Sequence, residues 1–210
     1  MSSSRVMTIT SLPGRVLPLN QYLQKKRSVM VSEYASGVIL DVGCGPAEIV
    51  RYLRNENQIS YVGIDTNKEM IEKLKRKYPS LNFYLVDVDH DDLPSPVSNS
   101  KFDTILLIAV IEHLKCPERL LRKASELLNY NGKLIVTTAT PNGEHVHNIL
   151  AIFGITSREA VREHKSAARS AYSFQAMSDL ILPFGFQVEA YRKFEFGLNQ
   201  MVVFRKNSSV

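Results

Sequence analysis

The segment VILDVGCGPAEI, residues 38–49, decides the fold of this 210-residue chain. Its first part is a short aliphatic run that ends at Asp41, which predicts a buried strand. Gly43 and Gly45 then indicate a tight turn, and Pro46 is a residue type that often opens a helix. This order of strand, glycine turn and helix is typical of an α/β sheet, where ligands bind between strand ends and helix starts.

The pattern of strand followed by helix repeats as far as about residue 140. ISYVGID at 59–65 predicts a second strand, and Thr66 to Glu69 has capping-box spacing before a helix. Three more strands are predicted at 81–88, 102–111 and 133–139, with a helix that Pro117 opens before the last of them. Because parallel strands need crossover helices, the alternation predicts a doubly wound, Rossmann-like α/β sheet.

The two ends of the chain depart from this alternation. Residues 1–36 form a predicted helical cap, and residues 141–172 are helical in character and rich in His and Arg. A further helix is predicted from Ser173 to Leu182, with serine as its cap. The last part, residues 186–206, predicts two strands joined around Gly197 as a β-hairpin. We expect one domain over residues 1–210, in which 141–172 is a lid over the substrate.

Composition favours an ordinary globular protein in a reducing compartment. Hydrophobic residues make up 44% and charged residues 22%, and the two cysteines have no metal-ligand spacing. The longest apolar run, residues 105–111, is far shorter than the ~20 residues that cross a bilayer. We therefore expect a cytoplasmic protein without stable membrane insertion. The net charge of +5 suggests nucleic acid as a partner, but basic residues alternate with acidic ones, which favours a solvated surface.

The charges around the glycine turn indicate the kind of ligand. The dinucleotide fingerprint fails at its third glycine, which is Glu48 here. Glu48 and Asp41 would repel a pyrophosphate and attract a cation. Asp65, at the end of the second strand, can accept both hydroxyls of a ribose. Asp87 and Val88 can place a carboxylate and a backbone N–H against an adenine edge. The predicted ligand carries adenosine and a positive charge but no diphosphate, as S-adenosylmethionine does.

Five motifs now stand in a recognisable order and spacing: VILDVGCGPAEI, GIDTNKEM, LVDVDHDDLP, FDTILLIAVIEHL and LLNYNGKLIVTT. Over roughly residues 37–140 they resemble the class I S-adenosylmethionine-dependent methyltransferases, in particular the type 11 and ubiquinone-biosynthesis methyltransferases. The resemblance implies a seven-stranded sheet, mostly parallel, whose last two strands form an antiparallel hairpin. This expectation suits residues 186–206.

The resemblance also implies roles for individual residues. Asp41, Gly43 and Gly45 would line the methionine end of the cofactor, Asp65 would hold the ribose and Asp87 the adenine. Three apolar residues complete the predicted cofactor site: Met70, Val88 and Ile108. For Met70, a place in the core of its helix is an equal alternative.

His113 is the predicted general base. It follows the fourth strand in the sequence IEHL, at the edge where an acceptor would approach, and a base is needed when a hydroxyl or amine must lose a proton. The alternative is a histidine that only shapes the pocket. Quinone-precursor and small-RNA O-methyltransferases look similar here and use an ExxEH stretch to hold a divalent metal. Ala109 occupies the first position of that stretch, so we predict no metal.

Four predicted acceptor-binding residues lie in the lid: His145, His164, Arg158 and Arg162. In a helix the two arginines would share one face with Lys165 and Arg169. Neighbouring glutamates make a self-paired, solvated surface the alternative. As a functional surface, this face would receive an anionic acceptor such as a phosphorylated or uronic-acid sugar, a lipid carrier or RNA.

The predicted function is S-adenosylmethionine-dependent methyl transfer to an oxygen of a small or carrier-linked acceptor, such as a sugar, a lipid or a quinone-like compound. An RNA methyltransferase is one alternative, since the chain is basic. A non-catalytic regulatory module that binds S-adenosylmethionine is another. The sequence leaves the oligomeric state open.

Overall fold

A seven-stranded sheet forms the centre of the computed structural model, which describes residues 18–53, 60–143 and 171–207. Across the sheet the strand order is β3-β2-β1-β4-β5-β7-β6, and β7 runs antiparallel to both of its neighbours. The strands are β1 (Ile39–Val42), β2 (Tyr61–Asp65), β3 (Asn82–Leu85), β4 (Phe102–Ile108), β5 (Leu128–Ala139), β6 (Phe186–Phe194) and β7 (Asn199–Lys206). The predicted sheet, mostly parallel with an antiparallel hairpin at its end, is confirmed.

Helices cover both faces of this sheet. They are α1 (Pro18–Ser32), α2 (Lys68–Lys77), α3 (Ser95–Ser98), α4 (Pro117–Leu127) and α5 (Phe174–Ile181), with 3-10 turns at Glu48–Arg51, Ile111–His113 and Leu182–Phe184. As predicted, the Ser173 side chain caps α5, accepting from the N–H of Ala176 at 3.1 Å. Among the described residues, no helix is both long enough and apolar enough to cross a membrane.

Two local predictions at helix starts need correction. Asn67, rather than Thr66, caps α2, because its side chain reaches the N–H of Met70 at 3.0 Å. The helix expected from Pro46 is a 3-10 turn that begins at Glu48. Ala47 has a left-handed φ of 51° and gives no side-chain cap, so the chain enters helical geometry only after it.

The core has two halves, one on each face of the sheet. Alternate residues of the central strands point to opposite faces, so Leu40 and Ile105 pack on the side of α4 and α5. Ile39 and Leu106 pack on the side of α1 and α2. Burial on both faces explains the continuous apolar run of β4.

Candidate functional site

The glycine loop lies at the carboxyl edge of β1, beside the end of β4. Gly43 and Gly45 have φ values of 66° and 48°, in the region that favours glycine. A Cβ at Gly43 would stand 2.5 Å from Cγ2 of Val110, so only glycine lets the loop approach this segment closely. A Cβ at Gly45 would meet no atom within 4 Å, so this glycine faces open space.

Every backbone N–H group between residues 43 and 47 is used inside the protein, and Pro46 has none. The first two donate to the carbonyl oxygen of Ile64 at 2.8 and 3.0 Å, and the third to Oδ2 of Asp65 at 2.8 Å. The N–H of Ala47 donates to the carbonyl of residue 44 at 2.8 Å. A diphosphate needs several unused donors at such a loop, and this segment has none to offer.

Asp65 joins the end of β2 to the glycine loop. Its Oδ2 accepts from the N–H of Gly45, and its Oδ1 accepts from the N–H of Asn67 at 2.8 Å. Each carboxylate oxygen has two acceptor positions, so both can still receive a ribose hydroxyl. The structure therefore brings Asp65, the residue predicted to bind the ribose, into direct contact with the glycine loop, which is predicted to bind the methionine end.

Asp41 lies inside β1, one residue before its end, and only 2% of it is exposed. The hydroxyl of Tyr61 on β2 donates to its Oδ2 at 2.6 Å, and its Oδ1 has no hydrogen-bond partner among the described residues. Burial raises the pKa of Asp41 to about 7, against the opposing effect of the Tyr61 hydrogen bond. A buried carboxyl that ionises near neutrality thus stands beneath the glycine loop.

Asp87 and Val88 follow β3 in a loop that is ordered by its own side chains. Oδ1 of Asp87 accepts from the N–H of Asp89 at 3.0 Å, and Oδ2 lies 2.9 Å from Nδ1 of His90. The His90 hydrogen bond, aided by that backbone N–H, lowers the pKa of Asp87. Val88 is half-buried against the core. The predicted adenine residues therefore lie together at the same carboxyl edge as Asp65.

In the segment after β4, two adjacent residues differ in their exposure to solvent. Glu112 is buried, with 6% exposed, whereas His113 is exposed. Burial lowers the pKa of Arg27 on α1, while the charges of Glu195 and Glu112 act in the opposite direction. Glu112 therefore lies near Arg27, and His113 lies at the edge where an acceptor would approach.

Comparison with known proteins gives the family. Residues 40–134 match the family described as a methyltransferase domain. This match confirms the predicted resemblance to methyltransferases over residues 40–134. The matched range includes the glycine loop, Asp65, the Asp87 loop and His113.

Individual relatives agree with this family. The putative methyltransferase 235L of Invertebrate iridescent virus 6 is 24% identical over 60% of this chain and 46% of its own length. The (S)-coclaurine N-methyltransferase of Papaver somniferum is 30% identical over 54% of this chain and 31% of its own. This chain thus spans less than half the length of these curated relatives.

Solved structures share the fold of this methyltransferase domain. The plantazolicin methyltransferase BpumL in complex with SAH superposes with a TM-score of 0.68 at 14% identity, covering 91% of this chain and 85% of that one. At this identity the likeness establishes the fold alone.

Several predicted residues of the methyltransferase domain keep the status of predictions. Met70 and Ile108 are half-buried and pack against the core on the side of α1 and α2, which is compatible with either role of Met70. The predicted acceptor residues His145, His164, Arg158 and Arg162 lie outside the described residues. Within the described ranges, no three His, Cys, Asp or Glu side chains converge on a possible metal site, and the absence of a metal stays a prediction.

Sequence reasoning did not single out Tyr61 or Arg27. The sequence marks Tyr61 only as part of a strand, although a tyrosine hydroxyl within a buried strand needs a hydrogen-bond partner, which is a usable signal. Arg27 lies among other basic residues of α1, and no local pattern separates it from them.

Proposed function

We propose that this protein transfers a methyl group from S-adenosylmethionine to a small-molecule acceptor. The observation that carries the proposal is the hydrogen bonding of the glycine loop. Its N–H groups all donate within the protein, and that of Gly45 donates to Asp65. The buried carboxyl of Asp41 precedes the loop by two residues. Such a loop presents carboxylates instead of N–H donors, which suits a cationic ligand with a ribose and does not suit a diphosphate. The related structure solved with SAH supports the same cofactor.

Different residues on this edge of the sheet would bind different parts of the cofactor. Asp41, Gly43 and Gly45 would face its methionine end, and Asp65 its ribose. The adenine would lie on Asp87 and Val88, and the half-buried side chains of Met70 and Ile108 would complete the apolar lining of the cofactor site. When bound, the cofactor supplies a methyl group on an activated sulfonium. The protein then has to place the acceptor in line with it and exclude water.

His113 is the proposed general base for an acceptor that must lose a proton. Its exposure at the carboxyl edge of β4 supports this role. We propose an oxygen as the acceptor atom, and nitrogen is the alternative that the coclaurine N-methyltransferase relative favours. A single domain with the cap at 1–36 and the lid at 141–172, which would bind an anionic acceptor, stays a prediction about the chain as a whole.

Calorimetry with two aspartate variants tests the cofactor site. We expect Asp65→Ala to weaken S-adenosylmethionine binding by about 1.5–3 kcal/mol, the range for hydrogen bonds to a charged group. Asp103→Ala is the matched control, because its carboxylate also accepts a backbone N–H, that of Val38 at 2.9 Å, at the opposite edge of the sheet. Equal effects of both changes, or tight binding of NAD with none of S-adenosylmethionine, would contradict the proposal.

Turnover is tested with methyl-labelled cofactor and a cell extract separated into metabolites, lipids and RNA. We expect label in a metabolite or lipid fraction, and a loss of about 10²–10⁴ in rate for His113→Ala with unchanged cofactor affinity. Full activity of this variant would remove His113 from the mechanism. Label in RNA would favour the RNA alternative, and binding without any transfer would favour a regulatory module.

A further inference from the structure

A partly buried polar cluster joins the N-terminal helix to the end of the sheet. Nη2 of Arg27 on α1 donates to Oδ1 of Asn199, the first residue of β7, at 2.7 Å. Nδ2 of Asn199 in turn donates to Oε2 of Glu195 in the turn between β6 and β7. Asn199 pairs with Ala139 at the end of β5, so this Arg27–Asn199–Glu195 cluster lies at the carboxyl edge of the sheet.

Two polar atoms of the cluster are buried and unsatisfied. Nε of Arg27 and Oε1 of Glu195 have no hydrogen-bond partner among the described residues. Buried polar atoms are nearly always paired, because an unmade hydrogen bond costs more than a made one contributes. One of these atoms is a donor and the other is an acceptor. A ligand group that accepts one hydrogen bond and donates another therefore has the chemistry that complements these two atoms.

The charges of the cluster select a neutral group. An anion would face the carboxylates of Glu195 and Glu112, and an ammonium group would face the guanidinium of Arg27. Burial already lowers the pKa of Arg27 and raises the pKa of Glu195, so both charges are poorly solvated before a ligand arrives. A third buried charge would add a further desolvation cost, which a neutral group avoids.

The cluster is connected to the proposed cofactor site. Val110 packs on the glycine loop at Gly43, and Glu112, which acts on Arg27, lies two residues further along the same segment. On the other side of the cluster, Phe196 follows Glu195 in the turn and is fully exposed. An exposed apolar side chain one residue after Glu195 suits an acceptor that carries its polar group on an aromatic or aliphatic body.

We propose that the Arg27–Asn199–Glu195 cluster binds the methyl acceptor through a neutral hydroxyl or carboxamide, which accepts a hydrogen bond from Nε of Arg27 and donates one to Oε1 of Glu195. The assignment of this ligand as the methyl acceptor rests on the proposed function. The binding chemistry of the cluster does not, since it follows from the two unsatisfied atoms.

Ring-matched probes test this chemistry on the full chain, with and without bound S-adenosylhomocysteine. Benzamide and phenol represent the neutral groups, benzoate the anion and benzylamine the cation, and NMR titration gives each dissociation constant. We expect the neutral probes to bind about tenfold more tightly than the charged ones. Arg27→Lys keeps the charge but removes Nε, and Glu195→Gln keeps the shape but replaces an acceptor. Each should weaken the neutral probes by about tenfold, as expected for one lost hydrogen bond to a charged group.

Two control variants make the same types of substitution, Glu to Gln and Arg to Lys, on the β6–β7 hairpin but away from the cluster. Glu189 and Arg205 form an ion pair of 2.8 Å towards the other end of β6 and β7, and Glu189→Gln and Arg205→Lys should leave probe binding unchanged. A charged probe that binds best, no binding of any probe, or cluster variants that match these controls would overturn the proposal. So would a lower melting temperature in the cluster variants with unchanged probe selectivity, which indicates a purely structural cluster.

The same data separate this proposal from the proposed function. Neutral-probe binding that depends on Arg27 and Glu195, in a protein that binds no S-adenosylhomocysteine, would refute the cofactor and keep the site. Tight cofactor binding with no probe selectivity would do the reverse.

Discussion

Asp41 is a buried residue beside the glycine loop, and its environment determines the pH at which its carboxyl ionises. Burial raises its pKa to about 7 from 3.8, so the folded protein holds this proton more tightly than the unfolded chain. Stability from this group is therefore greatest below about pH 4 and falls as the pH rises towards 7. Above that pH the buried carboxylate carries an unfavourable charge, which a cationic ligand would offset.

We predict that S-adenosylmethionine binds up to about tenfold more weakly at pH 6 than at pH 8, because ionised Asp41 favours the cationic cofactor. The neighbours that also act on this carboxyl are Tyr61, which lowers its pKa, and Asp65, which raises it. Calorimetry across this pH range should show the slope in the wild type and in Asp103→Asn, and a flat profile in Asp41→Asn. A slope that persists in Asp41→Asn would assign the titration to another group.

At the scale of elements, the loop after β3 caps the helix that follows β4. Cys116, at the start of α4, gives no side-chain cap. Instead the carboxylate of Asp89 accepts from the N–H groups of Lys115 at 3.1 Å and of Cys116 at 3.2 Å. In addition, Nη1 of Arg119 on α4 donates a hydrogen bond to the backbone carbonyl oxygen of Asp89 at 2.9 Å. The proposed adenine loop at 87–88 is thereby tied to the helix.

We predict that Asp89→Ala lowers the free energy of unfolding by about 1–2 kcal/mol, as the loss of a helix cap does. It should also weaken cofactor binding several-fold, because the adenine loop loses its support. Denaturant unfolding and calorimetry measure the two effects. Asp92→Ala is the control, since its exposed side chain meets Arg119 only in a surface ion pair that contributes at most about 1 kcal/mol. Equal losses in both variants would contradict this role of Asp89.

At the scale of the whole molecule, the positive charge of the part that the structure describes is dispersed. The net charge is +5, yet basic side chains of the described residues pair with acidic neighbours on several elements. These pairs include Arg51–Glu48, Lys73–Glu69, Lys123–Glu126, Arg192–Glu33 and Arg205–Glu189. Over residues 18–53, 60–143 and 171–207, this dispersed and paired charge does not make the continuous basic track that a nucleic acid backbone needs.

We therefore predict weak binding of bulk tRNA, with a salt dependence that corresponds to about two released counterions or fewer. Fluorescence anisotropy at 50 and 200 mM salt measures this slope. The double change of Arg158 and Arg162 to Glu should alter it little. Tight binding with a steep slope would instead promote the RNA methyltransferase alternative.

Local patterns were sufficient for most of the fold. The alternation of strands and helices, the cap at Ser173 and the glycine loop could all be predicted from neighbouring residues, because propensity, capping and turn geometry act over a few residues. Element ends were less certain. The end of β1 lies at Val42 rather than at Asp41, since pairing with β2 and β4 continues through Val42.

The sequence by itself determined the α/β class, the position of the glycine loop and the carboxylate at Asp65, since each follows from residues close together in the chain. Only the tertiary structure decided the partners of the buried polar groups. Arg27 meets Asn199 across 172 positions, and Asp41 meets Tyr61 across 20. Such contacts depend on which strands become neighbours and on where α1 packs. Hydrogen bonds of this kind form only after burial has brought distant elements together, so no local pattern encodes them.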